Sequence, residues 1–300
     1  MHVASNPAGE WLDRAKISSD QFSPIETLVN PINPIKDLRA LWQIVQLMRR
    51  EKFDLIHTHS SKAGILGRIA AFITKTPVVH TIHGFPFHDF MPQWKQNLFI
   101  WLERWAASYT QFLITVSELN RNQAIALGII TQENSRTIYS GIDFRRLAAL
   151  KPEQNQLRQA LGLKTPTQII TMVGRLEPQK APHYLIQAFA EVVKTCPDTV
   201  LLLVGDGELK PELLTQVETL GLQHQVQFLG SREDVLDILA ISDIFALSSL
   251  WEGLGRAMTE AMLMGKAVVV PNIYGIPEIV HHQQTGLLFP PQDWEKLVHH

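Results

Sequence analysis

Apolar residues recur at helical spacing through 36–51, where Leu38, Leu41, Trp42, Val45 and Met48 would share one face behind a Pro34 suited to the first turn. The same period predicts helices over 63–74, 93–109 and 118–127. Short runs rich in β-branched residues predict strands near 54–58, 78–82, 112–116 and 136–139. The second half repeats the alternation, with strands near 169–173, 200–204, 226–228, 244–247, 268–270 and 287–289 and helices near 182–195, 210–220, 234–240 and 256–264. Alternating strands and helices predict parallel sheets, so the expected fold class is α/β. A stretch at 143–166 carrying Arg145, Arg146, Lys151 and Pro152 separates the halves, which sets the expected domains at 1–145 and 146–300. Ligands of open α/β sheets bind beyond the carboxyl ends of strands, so two such domains facing each other would enclose a cleft.

Composition narrows the function. With 300 residues, 45% apolar and 19% charged, the chain is globular and long enough for about two domains. A net charge of −2 lacks the basic excess of nucleic-acid binders, so no nucleic-acid partner is expected. Cys196 is the only cysteine, which excludes an intrachain disulfide framework and fits a reducing compartment. The apolar runs are of strand length and no charged-then-apolar leader opens the chain, so a cytoplasmic location is expected.

The densest candidate chemistry lies at 248–265, where Glu252 and Glu260 are separated by seven residues across a helix start flanked by Gly253 and Gly255. Glycine lets backbone approach a bulky ligand, and the open N–H groups of a helix start favour an anion such as a diphosphate. Eight residues span about 12 Å if helical, which would let each carboxylate accept hydrogen bonds from hydroxyls at one end of a nucleotide-sugar. Two glutamates at a helix start also complement the helix dipole as plain solvated groups.

Other strand ends add to this. Gly174, Arg175 and Lys180 follow a strand and precede a helix, where two cations would offset charge growing on a diphosphate leaving group or would stand solvated in a loop. His83 sits at a strand tip beside Gly84, placed for a hydrogen bond to phosphate or sugar or for a structural one. His57 and His59 share one strand face at a metal-ligand spacing, which keeps a metal-dependent hydrolase open.

In this order the segments resemble the family 4 glycosyltransferases, retaining enzymes whose GT-B fold pairs two Rossmann-like domains across a cleft. The resemblance rests on the Glu-x7-Glu spacing of Glu252 and Glu260, on Gly174-Arg175-Leu176 with Lys180, and on Thr81-Ile82-His83-Gly84. It extends to His57-Thr58-His59-Ser60, Ser140-Gly141-Ile142-Asp143, Val204-Gly205-Asp206-Gly207-Glu208, Phe228-Leu229-Gly230-Ser231-Arg232 and Gly275-Ile276-Pro277-Glu278. It implies catalytic roles for Glu252 and His83. Donor-binding roles fall to Gly174, Arg175 and Lys180, to Leu254, Gly255 and Arg256 at the diphosphate, to Glu260 at the ribose, and to Gly230 and Ser231 at the base. Its implied substrates are a nucleoside diphosphate sugar, UDP being the expected nucleotide, and a glycan or lipid-linked acceptor. Exopolysaccharide or lipopolysaccharide assembly is the implied setting, with peripheral contact at the inner face of the plasma membrane among its options. No cofactor is implied, because the nucleotide-sugar is a substrate. No Asp-x-Asp pair is present, so no metal is expected.

The chain departs from the family pattern in two ways. Ala181 replaces the glycine that usually follows the lysine, and Ser140 replaces an asparagine. The family's opening strand-loop-helix unit and closing helices are not matched, so the expectation is a chain shortened at both ends, with weak activity. A non-catalytic nucleotide-sugar-binding remnant and a UDP-sugar 2-epimerase of the same fold are the alternatives.

Overall fold

A computed structural model describes residues 1–8, 12–29, 31–142, 154–164 and 166–298. The chain opens with β1 (His2–Ser5), α1 (Leu12–Ile17) and β2 (Gln21–Pro24), the two strands pairing in parallel as a separate sheet. Next comes α2 (Pro34–Glu51), whose Asn33 side chain accepts the Lys36 N–H at 3.1 Å while Pro34 fills the first turn. Its buried face is Ala40, Ile44, Val45, Leu47 and Met48. Leu38 and Trp42, expected on that face, are 68% and 63% exposed. At 100° per residue Trp42 lies about 160° from Ile44, so packing against the following helix turns it outward.

A four-stranded parallel sheet follows in the order β3 (Ile56–His59), β4 (Val78–Ile82), β5 (Phe112–Thr115), β6 (Ser135–Thr137). Its crossovers are α3 (Ser61–Thr74), α4 (Gln93–Ala107) and α5 (Glu118–Ala126). Right-handed connections advancing one way across a sheet put all three helices on one face. α3 lies close against that face through two glycines. A Cβ on Gly64 would stand 2.5 Å from His80 Cε1, and one on Gly67 would stand 2.6 Å from Thr58 Cγ2. The buried Arg68 donates to Glu103 at 2.8 Å, pinning α3 to α4 and turning Glu103, Ala106 and Ala107 inward.

His80, beneath Gly64, has its pKa pushed down to about 3, first by burial and then by the charges of Arg68 and His59. The unfolded chain would bind a proton near 6.5 that the folded one refuses, so this stability is complete above that range and is lost as the pH falls toward 3. Chemical denaturation should show about 2 kcal/mol less stability at about pH 5 than at about pH 7. His80→Asn, which keeps a partner for the Thr58 hydroxyl 2.9 Å from Nδ1, should flatten the slope. An unchanged slope would remove His80 as its cause.

The second half begins with α6 (Gln154–Ala160). Then β7 (Gln168–Val173), α7 (Pro182–Thr195), β8 (Thr199–Val204), α8 (Lys210–Thr219), β9 (Val226–Gly230), α9 (Val235–Ile241) and β10 (Ile244–Ala246) alternate. α10 (Arg256–Leu263), β11 (Ala267–Pro271), β12 (Leu287–Phe289) and α11 (Trp294–Val298) complete it. All six strands are parallel, ordered β12-β11-β10-β7-β8-β9. Every residue of β8 is buried, as a central strand covered on both faces requires. Phe189, Phe245 and Phe289 pack on one face, and Ile169, Leu202 and Ile238 on the other. The chain runs outward from β7 to β9 and then returns to β10 on the opposite side of β7. The gap between β7 and β10 is therefore the topological switch point, where ligands of such sheets bind.

The chain divides into two compact units, Met1–Ile138 and Tyr139–His300. The expected boundary at 145/146 and Asp143, Arg145, Arg146, Lys151 and Pro152 lie outside the described residues.

Candidate functional site

Two loops leave the second sheet at its switch point, 174–181 after β7 and 247–255 after β10. Four hydrogen bonds stitch them together. The Leu250 N–H donates to the Gln179 carbonyl at 2.8 Å, and the Gln179 side-chain amide donates to the Trp251 carbonyl at 3.0 Å. The Ser248 hydroxyl lies 3.0 Å and 2.9 Å from the Lys180 and Ala181 carbonyls, so one proton is shared between two acceptors. Lys180 folds over Gly174, where a Cβ would approach its Cε to 3.2 Å, and its Nζ makes an ion pair with Glu252 Oε1. The Ser249 hydroxyl donates to the same oxygen at 2.8 Å. Both charged side chains are largely withdrawn from water, Lys180 being 17% and Glu252 7% exposed. A low-dielectric setting strengthens this pair and makes removal of either partner costly.

The glycine-rich end of β8 buttresses the first loop from below. Gly205 has φ +135°, and a Cβ there would lie 2.1 Å from the Gly174 carbonyl oxygen. A Cβ on Gly207 would lie 2.4 Å from the Leu176 oxygen, and the Leu176 N–H donates to Asp206 O at 2.9 Å. Gly230 closes β9 with φ +67° and accepts the Gly205 N–H at 2.8 Å, with Ser231 exposed beside it. Ala181, where the family has glycine, adopts φ +43° and is buried, so the left-handed turn survives the substitution.

α10 starts at Gly255, whose φ of +83° only glycine adopts readily, and no side chain caps the start. Leu254 is buried ahead of it. Arg256 Nη2 stands 3.7 Å from Glu260 Oε1 one turn along, putting a cation and a carboxylate on one side of the helix start. Arg175 is not part of the Lys180–Glu252 contact. It is 63% exposed and bonds Glu177 at 2.9 Å. The Tyr139 hydroxyl donates to Glu278 Oε2 at 2.9 Å, joining the segment before Ser140 to the Gly275–Glu278 turn.

In the first unit, His83 is exposed at the end of β4, its Nε2 3.0 Å from His59 Nδ1. The His57 and His59 rings are 4.2 Å apart, and His57 Nε2 lies 2.7 Å from the Thr81 hydroxyl. Burial first, then the charges of His57 and His83, push His59 down to about 4, so its imidazole is neutral at physiological pH, and burial also lowers His57. Ser60, directly after β3, holds φ +59°. Among the described residues no group of three or more His, Cys, Asp or Glu is arranged to hold a metal. Ser249 and Gln179 went unread as site residues. The serine pair ending β10 was the available signal, because a buried hydroxyl beside a buried carboxylate must bond it.

Residues 9–146 match the family described as Glycosyltransferase Family 4, and residues 153–300 match that described as Glycosyl transferases group 1. The UDP-Gal:alpha-D-GlcNAc-diphosphoundecaprenol alpha-1,3-galactosyltransferase of Escherichia coli is 36% identical over 298 residues, spanning 98% of this chain and 76% of that protein. The chain is a family 4 glycosyltransferase. Two solved structures resemble this glycosyltransferase across 99% of its length and 80% of theirs. Anabaena Alr3699/HepE in complex with UDP and glucose has a TM-score of 0.84 at 28% identity, and its complex with UDP-glucose 0.83 at 29%. The glycosyltransferase thus has the α/β GT-B fold, with two Rossmann-like units. Among its described residues no helix is long and apolar enough to cross a membrane.

Proposed function

We propose that the enzyme transfers a sugar from a UDP-sugar to a glycan or lipid-linked acceptor with retention, in exopolysaccharide or lipopolysaccharide assembly at the cytoplasmic face of a membrane. The observation that carries this reading is the buried Lys180–Glu252–Ser249 cluster at the switch point of the second sheet. Its support is chemical. A diphosphate arriving at the β7 loop gives Lys180 a stronger anion than its resident carboxylate, and the Gly255 helix start offers open N–H groups to the same charge. Glu252 has both its contacts on Oε1, which leaves Oε2 for a sugar hydroxyl. The names of relatives agree in kind: the Escherichia coli protein is named for UDP-Gal and a diphosphoundecaprenol-linked acceptor, and the Anabaena protein was solved with UDP and with UDP-glucose.

In this reading Glu260 accepts the ribose hydroxyls, the backbone of 254–257 with Arg256 meets the diphosphate, and Gly230 and Ser231 meet the base. Arg175 leaves Glu177 for phosphate, and His83 contacts phosphate or sugar. The bond from sugar C1 to the diphosphate oxygen breaks, UDP departs with the electron pair, and the acceptor oxygen bonds C1 on the same face. The departing phosphate oxygen takes the acceptor proton. Charge on the leaving group is met by Arg175, Lys180 and the helix start, with no metal or cofactor. The test is a transfer assay with UDP-sugars and a lipid-linked glycan in chelator, reading the product's anomeric configuration by NMR. An α-linked product formed at an undiminished rate is expected. A β-linked product would overturn retention, and loss of turnover restored by a divalent ion would overturn the metal-free donor site.

A further inference from the structure

Toward the carboxyl edge of the four-stranded sheet, the rings of His57, His59 and His83 form one column. β3 and β4 run in parallel with His57 opposite Val79 and His59 opposite Thr81, so strand alternation puts His57, His59, Thr81 and His83 on one side of the sheet. Thr58 and His80 take the other side, bonded to each other at 2.9 Å beneath α3. The column is fixed from its base, because His57 Nε2 lies 2.7 Å from the buried Thr81 hydroxyl and the His57 and His59 ring centroids are 4.2 Å apart. The His59 and His83 rings follow at 5.2 Å, tilted by 31°, and meet Nδ1 to Nε2 at 3.0 Å. His59 is thus held between two other rings.

A contact between two ring nitrogens holds one proton, so one imidazole donates and the other accepts. Two arrangements satisfy it. In the first, His83 donates from Nε2 and His59 accepts at Nδ1, so both neutral rings carry their proton on Nε2, the tautomer that the histidine side chain prefers in water. In the second, both carry it on Nδ1. Only the first survives protonation of His83, since its imidazolium still donates from Nε2, whereas the second would then set two N–H groups against each other. His59, its pKa lowered to about 4, stays neutral at physiological pH and keeps a nitrogen able to accept.

We propose that His59 is a positioning residue for His83: its Nδ1 accepts the His83 Nε2–H, fixes that tautomer and the angle of the ring, and makes Nδ1 the His83 atom at which a proton is gained, lost or shared with substrate. The proposal rests on the reading of His83 as a contact to the donor. His59 itself touches no substrate in this role.

The test is long-range proton–nitrogen NMR of the isotopically labelled full chain, which reads the tautomer of each imidazole directly, with His83→Gln assigning the His83 pattern by deleting it. Wild-type His83 should show the Nε2–H pattern. His59→Leu should turn it into a mixture of tautomers and lower kcat for sugar transfer about tenfold, with KM for the UDP-sugar changed by less than about twofold. His59→Asn, whose Oδ1 falls near the place of Nδ1, should restore both. In a His83→Ala background, His59→Leu should add no further loss, as expected of two residues acting through one contact. An Nδ1–H pattern at His83 in the wild-type chain would overturn the proposal even if every variant failed to fold. So would a His83 pattern unchanged by His59→Leu, or an added loss in the His83→Ala background, which would give His59 a route of its own. His83→Ala turning over at the wild-type rate, with the Nε2–H pattern present in the wild-type chain, would sink the donor contact of His83 alone and leave the pairing standing.

Discussion

Glu252→Gln is expected to lower sugar transfer by about a hundredfold or more while leaving the affinity for free UDP unchanged or slightly tighter. Glutamine keeps the shape and can still accept the Ser249 hydroxyl, but it loses the charge that orients the sugar and holds Lys180. Released from its partner, Lys180 is then more available to a diphosphate. The variant also leaves a mostly buried cation unpaired, at a cost of about 3 kcal/mol in stability, so its melting should be followed alongside. Glu260→Ala should behave differently, weakening free UDP and UDP-sugar alike by about tenfold, because a ribose contact is made by both. Titrations of UDP and UDP-sugar on the two variants separate the roles. Equal losses for both ligands in both variants would contradict this division.

Gly205→Ala is expected to cost about 3 kcal/mol or more in stability and to abolish UDP binding. The added Cβ would meet the Gly174 carbonyl oxygen at 2.1 Å, and the φ of +135° resists any L side chain. Neither partner can yield cheaply. The Gly205 N–H is held by Gly230 O at 2.8 Å and the Gly174 N–H by Val204 O at 2.9 Å. Because Gly174 also seats Lys180, relief of the clash displaces the cation of the site. Gly265→Ala is the control: its φ of +70° is strained, but nothing lies within 4 Å of the new methyl, so the cost should be about 1–2 kcal/mol. Chemical denaturation of the three proteins decides, and equal midpoints for the two variants would show that the close approach does not matter.

β4, α7 and β12 lie where the pattern alone predicts them, because their apolar runs are bounded by breakers and packed by neighbours of the same unit. The rotation of α2 was not legible. Trp42 and Leu38 fit an apolar stripe in one dimension, and only the packing partner selects the Ala40 and Ile44 side. β2 escaped because Gln21–Pro24 offers one large apolar residue, Phe22, where β12 is apolar throughout. At the site, the motifs singled out Glu252, Glu260 and Lys180, while the pairings were not legible: Lys180 meets Glu252, Arg175 meets Glu177, and Arg256 meets Glu260. Sequence distance between loops after β7 and β10 says nothing of their contact until the strand order is known. Gly205 and Gly207 read as a turn, whereas their physical role is the close approach of two loops.

Calorimetric titration of UDP, in chelator, onto the wild-type chain and onto Lys180→Ala and Arg175→Ala tests the donor site most directly. A site at the β7 and β10 loops predicts one UDP per chain, with affinity reduced about tenfold to a hundredfold in each variant, the range for hydrogen bonds to charged groups. Wild-type affinity for UDP in both variants would contradict it.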